Sequence, residues 1–136
     1  MEQLDYEQMN GLSLAYIGDA IYELAVRNHL VSLGLTKVND LQKKSRHYVS
    51  AKAHAALFDL MQTDQILNEQ EMLYFKRGRN AKSYTKAKNT NAVSYRISTG
   101  VEAMFGYLYL SKQEERLTEL MNWIYEQVES GRTQNA

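Results

Sequence analysis

A chain of 136 residues, 44% hydrophobic and 24% charged, is long enough to bury one sizeable core and suits a single domain. With no cysteine it excludes disulfides, thiolate metal sites and a cysteine nucleophile, which points to a reducing compartment and the cytoplasm as the expected location. Lys plus Arg and Asp plus Glu balance at 16 each; the acidic start MEQLDYEQMN lacks a signal-peptide pattern, and no apolar run reaches the ~20 residues of a membrane span.

There is no repeat, no break in composition and no proline, so residues 1–136 read as one all-α domain. From Leu12 to Leu33 the apolar Tyr16, Ile17, Ala20, Ile21, Leu24 and Val31 recur at helical spacing. Asn10 or Ser13 is the candidate N-cap and Gly34 the candidate stop. Residues 38–47 predict a shorter, basic helix whose Lys43, Lys44 and Arg46 read as a solvated face. Val49 to Met61 predicts another, carrying Ala53, Ala56, Leu57, Leu60 and Met61. Asn68-Glu69-Gln70-Glu71 has the form of a capping box and opens a helix to about Lys76. Residues 77–90, RGRNAKSYTKAKNT, lose the apolar period and predict an exposed basic loop. Helical spacing resumes near Asn91 and runs to Leu110 through Val93, Ile97, Val101, Met104, Phe105 and Leu108. A last amphipathic helix carries Leu117, Leu120, Met121, Ile124 and Val128, and residues 130–136 read as a frayed tail.

Charge is unevenly distributed. Before Arg27 the acids Glu2, Asp5, Glu7, Asp19 and Glu23 occur without one Lys or Arg. From Met72 to Val101, Lys76, Arg77, Arg79, Lys82, Lys86, Lys88 and Arg96 occur without one acid. A polyanion held by one segment and processed near another explains this split, and so do two solvated faces that attract each other. Two acids stand out from their surroundings: Asp19, inside Ala15-Tyr16-Ile17-Gly18-Asp19-Ala20-Ile21, and Glu102, the only acid between Glu71 and Glu114. A carboxylate on an apolar helix needs a partner, a hydrogen bond or a cation. Gly18 beside Asp19 predicts a close approach by another helix. If the two helices cross near Gly18 and Gly100, Asp19 and Glu102 meet, and Mg²⁺ with its retained waters would join them; a structural hydrogen-bond network is the other reading. Glu23, one turn beyond Asp19, is placed to pair with Arg27. His29, His47 and His54 lack metal-site spacing, and no phosphate loop, dinucleotide fingerprint or nucleophile elbow is present.

Ala15-Tyr16-Ile17-Gly18-Asp19-Ala20-Ile21-Tyr22-Glu23-Leu24 resembles the signature of the ribonuclease III family, whose core reads Glu-Phe-Leu-Gly-Asp-Ala. Thr99-Gly100-Val101-Glu102-Ala103 is similar to its second acidic motif, Asp-Thr-Val-Glu-Ala. The length and the segment Lys76-Arg77-Gly78-Arg79-Asn80-Ala81-Lys82 resemble the short bacterial branch, which has no appended double-stranded-RNA-binding domain. The resemblance implies a homodimeric all-α endoribonuclease that cleaves double-stranded RNA to 5′-phosphate and 3′-hydroxyl ends and matures large-subunit ribosomal RNA precursor. It implies Asp19 and Glu102 as catalytic metal ligands for Mg²⁺, with Mn²⁺ as substitute, and Lys76, Arg77, Arg79, Asn80, Lys82, Lys86 and Lys88 as the RNA-binding set. Ala15 stands where the family has a carboxylate, and Thr99 where it has an Asp. Half of the usual acids are thus absent, which implies a metal that keeps more water, with the Thr99 hydroxyl and Glu23 nearby to orient it. A silent relative that binds RNA without cutting it is the alternative.

Overall fold

The computed structural model describes residues 5–82 and 91–134, which form a single 3₁₀ turn at Tyr6–Gln8 and six α-helices, with no strand among the described residues. The helices are α1 (Gly11–Ser32), α2 (Val38–Val49), α3 (Ala51–Thr63), α4 (Glu69–Arg79), α5 (Ala92–Leu110) and α6 (Glu114–Glu129).

Local chemistry sets most of the boundaries. The Asn10 side chain accepts from the Ser13 N–H at 2.8 Å and opens α1, and Gly34, at φ +92°, follows its end. Ser50 alone separates α2 from α3: its N–H donates to the Arg46 carbonyl while its hydroxyl accepts from the Ala53 N–H. Asn68 and Glu71 form the reciprocal capping box at 2.8 and 3.0 Å. Glu71 is fully buried and also binds Arg116 of α6 through both its oxygens, at 2.7 and 2.8 Å; Arg116 donates in addition to the Ile66 carbonyl and pairs with Glu119. One guanidinium thereby fastens α6 to the start of α4.

α5 is the central helix. Every residue from Ser98 to Leu108 except Glu102 is buried, and α1, α3, α4 and α6 all pack on it. Two crossings on α5 are made at glycines. A Cβ on Gly18 would lie 1.6 Å from the Glu102 carbonyl oxygen, and one on Gly106 would lie 2.0 Å from the Leu14 carbonyl oxygen, so α1 and α5 touch backbone to backbone. Gly78 of α4 meets Thr99, Gly100 and Ala103 in the same way, and Gly100 faces the Phe75 ring. The α1–α5 crossing is therefore at Gly18 and Gly106, whereas the expected partner Gly100 serves α4.

Three expectations need correction. α4 does not stop at Lys76 but continues to Arg79, because Gly78, which looks like a loop residue, is the contact that seats this turn on α5. Residues 83–90 of the expected basic loop lie outside the described residues. In α1 the buried face is Gly11, Leu14, Ala15, Gly18, Tyr22, Val26 and Leu30, while Tyr16, Ala20, Leu24 and Val31, read as core, are exposed. In place of the expected frayed tail, the chain turns back after α6. The Arg132 N–H donates to the Gln127 carbonyl, and its guanidinium donates to both Asp64 oxygens at 2.7 and 3.0 Å; residues 135 and 136 lie outside the described residues.

Gly18→Ala should destabilise the fold by at least about 3 kcal/mol or prevent folding, because the methyl meets a carbonyl on a rigid helix. Gly34→Ala, with no atom within 4 Å, should cost only about 1 kcal/mol through its positive φ. Urea unfolding of the two variants gives the comparison.

Candidate active site

Asp19 follows the glycine that presses on the Glu102 backbone, so the closest approach of α1 and α5 sets the two carboxyl groups side by side. Asp19 is exposed rather than enclosed in an apolar environment as its neighbours suggested, and Glu102 is half-buried. The Glu102 carboxyl is pushed up to about 8, first by burial, then by its hydrogen bond to Asp19 and by the Asp19 and Glu23 charges. Neither carboxyl has a Lys or Arg ion pair among the described residues.

The flanking residues differ in what they offer. Glu23 pairs with Arg27 at 3.5 Å, as its spacing indicated. Ala15 is buried in the core, and the Thr99 hydroxyl donates to the Tyr95 carbonyl at 3.1 Å, one turn back on its own helix.

The basic end of α4 is seated on the helix that carries Glu102, where Gly78 packs on Thr99 and Ala103, and it meets the start of α1 at Gly11. Lys76 and Lys82 are exposed, and Arg79 lies over the Phe75 ring and donates to Asn80 Oδ1 at 3.1 Å. The Arg77 guanidinium is engaged elsewhere: it sits over the Tyr74 ring and donates to the Glu7 and Met9 carbonyls at 2.7 and 3.1 Å, strapping the N-terminal turn to α4. Lys86 and Lys88 lie outside the described residues.

His54 carries more than its sequence reading gave it. It is 1% exposed on the inner face of α3, and its spacing with Leu57 and Met61 was the available signal. Its Nδ1 is 2.7 Å from Ser98 Oγ, and its ring stands edge-on to Tyr22 at 4.7 Å. Nε2 is buried without a hydrogen-bond partner among the described residues. Burial lowers its pKa to about 4, against a smaller opposing effect of the Asp19 charge.

A model of the Ribonuclease III domain matches residues 12–113, a span that contains both carboxylate-bearing helices. The chain belongs to the ribonuclease III family. Within it, the Mini-ribonuclease 3 of Enterococcus faecalis is 55% identical over 124 residues, covering 91% of this chain and 94% of the relative. That of Streptococcus pneumoniae is 48% identical over 126 residues, covering 93% and 98%. A crystal structure of a Fusobacterium nucleatum protein superposes with a TM-score of 0.74 at 29% identity, covering 88% of this chain and 93% of that one. The all-α fold and the two motifs thus agree with family membership, and ribonuclease III enzymes are generally divalent-metal dependent and act on double-stranded RNA. No described helix is long and apolar enough to cross a membrane.

The buried His54 gives stability a signed pH dependence. Its folded pKa lies below the unfolded value of about 6.5, so the unfolded chain takes up the proton first and stability falls as pH drops from about 6.5 towards 4. Between pH 7 and 4.5 the wild type should lose about 2 kcal/mol more than His54→Leu, which chemical denaturation at the two pH values measures.

Proposed function

We propose that this endoribonuclease cuts both strands of an RNA duplex as a Mg²⁺-dependent homodimer and matures large-subunit ribosomal RNA precursor, leaving 5′-phosphate and 3′-hydroxyl ends. The observation that carries the reading is the meeting of Asp19 and Glu102 at the glycine crossing, with no basic side chain paired to either. Two carboxyl groups set against each other suit a hard dication, whose charge relieves the repulsion between them. Among the described residues no third His, Asp or Glu converges with them. The fit is therefore to an ion that keeps most of its water, as Mg²⁺ does and Mn²⁺ with the same oxygen preference would. Bound there, such an ion supplies a Lewis acid for the phosphodiester and a means to activate water.

The chain's own residues do the rest. Asp19 and Glu102 fix where hydrolysis takes place. Lys76, Arg79 and Lys82, with Asn80 beside them, offer cations and a hydrogen-bonding amide one helix contact away, and Lys86 and Lys88 extend the same run. A-form RNA is held mainly through its backbone and shape, which such a set suits. Leu12, Tyr16, Ala20 and Leu24 form an exposed stripe at four-residue spacing on the helix that bears Asp19; Tyr16 is 81% exposed. A second copy against this stripe would place two sites on one surface, one for each strand.

Asp19→Asn and Glu102→Gln should each remain folded and lose at least about a hundredfold in Mg²⁺-dependent cleavage of a long RNA duplex, about 2.7 kcal/mol of transition-state stabilisation. Full activity in either removes the assignment, and salt-sensitive duplex binding without cleavage by the wild type would favour the silent RNA-binding relative. Leu24→Glu should shift the protein from dimer to monomer in sedimentation velocity, whereas an unchanged dimer would place the interface elsewhere.

A further inference from the structure

Ion pairing divides the basic residues of this chain into two kinds. Twelve of the 16 Lys and Arg fall within residues 37–52 and 76–96, which together hold one acid, Asp40. Outside these two runs all three arginines are neutralised: Arg27 by Glu23, Arg116 by Glu71 and Glu119, and Arg132 by Asp64. Inside them no Lys or Arg has an ion pair among the described residues, although the chain carries 16 acids. The second run supplies the RNA-binding set above. The first, Lys37, Lys43, Lys44, Arg46 and Lys52, lies on α2 and the start of α3 and is exposed throughout.

Helix stability accounts for one of these five cations. Arg46 stands in the last turn of α2, where the helix dipole favours positive charge. Lys37 at the N-cap of α2 and Lys52 in the first turn of α3 stand at the opposite ends, where a cation is unfavourable. Lys43 and Lys44 lie a turn further in, and Asp40, four residues before Lys44, makes no ion pair with either. Leu41 and Tyr48 pack on the core, which leaves Lys43, Lys44 and Arg46 on the outer face. The Tyr22 hydroxyl, one turn beyond Asp19, donates to the Tyr48 carbonyl at 2.5 Å, so the end of α2 is fastened to the helix that carries Asp19. From there α2, 12 residues long, extends about 18 Å.

We propose that the outer face of α2, continued by Lys52, is a second RNA-backbone surface, which holds phosphates of the duplex outside the bonds cut at Asp19 and Glu102. Unpaired cations spread along one helix face suit a regular polyanion, whose condensed counterions they displace. Such contacts position a duplex and carry no sequence information, so this surface adds affinity without base preference. The proposal rests on the reading of the chain as a nuclease for duplex RNA and enlarges the area over which that substrate is held.

The test measures binding of the full chain to an RNA duplex of about 40 base pairs over a range of salt without divalent metal, then Mg²⁺-dependent cleavage of the same duplex. The triple variant Lys43→Gln, Lys44→Gln, Arg46→Gln should melt near the wild type and bind at least about tenfold more weakly at low salt, with the slope of log K against log salt smaller by about 2 to 3. Its KM should rise while kcat at saturating duplex stays near the wild-type value. Lys112→Gln, which removes an exposed cation outside both runs, should change neither affinity nor slope. A folded triple variant with wild-type affinity and slope overturns the inference and leaves the face to solvent or to an acidic protein; cleavage by the wild type then keeps the nuclease reading standing. A loss of slope in Lys112→Gln as large as in Lys43→Gln alone also overturns it, because net charge rather than position would then set the affinity. If the triple variant melts early for want of Arg46, the double variant Lys43→Gln, Lys44→Gln decides: a slope smaller by about 1 to 2 supports the surface and an unchanged slope overturns it. A wild type that neither binds nor cuts the duplex overturns this inference and the proposed function together.

Discussion

Everything in this molecule is built around a place where two helices have no side chains between them. Gly18 rests on the Glu102 carbonyl and Gly106 on that of Leu14, so the axes of α1 and α5 come closer than any larger residue permits. That contact buries little apolar area by itself. Its effect is positional: it brings Asp19, one residue along, to Glu102, whose own backbone forms the other side of the contact. Gly78 and Gly100 repeat the device between α4 and α5 and seat a basic helix end on the helix that carries Glu102. The site is thus a product of backbone proximity.

Polar anchors hold the periphery to this centre. Glu71 and Arg116 tie α6 to the start of α4, and Arg77 ties the first turn to its end. At the far end of α1, His29 and the Tyr48 hydroxyl both bond Glu129, Tyr22 donates to the Tyr48 carbonyl, and the His29 ring stacks on Tyr125 at 3.8 Å. Each anchor joins elements distant in sequence and satisfies carbonyls or carboxylates that would otherwise be stranded.

What could be read in advance follows from how far each signal reaches along the chain. The caps at Asn10 and Asn68 depend on residues three apart and were legible, as were the six helices and the two acidic motifs. The side of α1 that faces inward was not. Tyr16, Leu24 and Val31 are larger and more apolar than Gly11, Ala15 and Gly18, and a reading by hydrophobicity turns the helix the wrong way when its true contact is made by small residues. Gly78 was taken as a loop marker for the same reason. The burial of His54 and the ion pair that Glu71 makes beyond its capping box were passed over because the partners Ser98 and Arg116 lie 44 and 45 residues away, beyond any local pattern.

The inward ridge of α1, Leu14, Gly18, Tyr22, Val26 and Leu30, advances by four residues at each step. Four residues overshoot a 3.6-residue turn, so the ridge precesses about 40° per step and about 160° from end to end. Its first members, Leu14 and Gly18, therefore face α5; Tyr22 meets α2 and α3 as well, through Tyr48 and His54; and by Ala25 and His29 the helix has turned to α6 through Tyr125 and Glu129. One helix thus acts as a spiral spine, passing from one neighbour to the next, and the carboxylate site sits on the stretch of that spiral that meets α5.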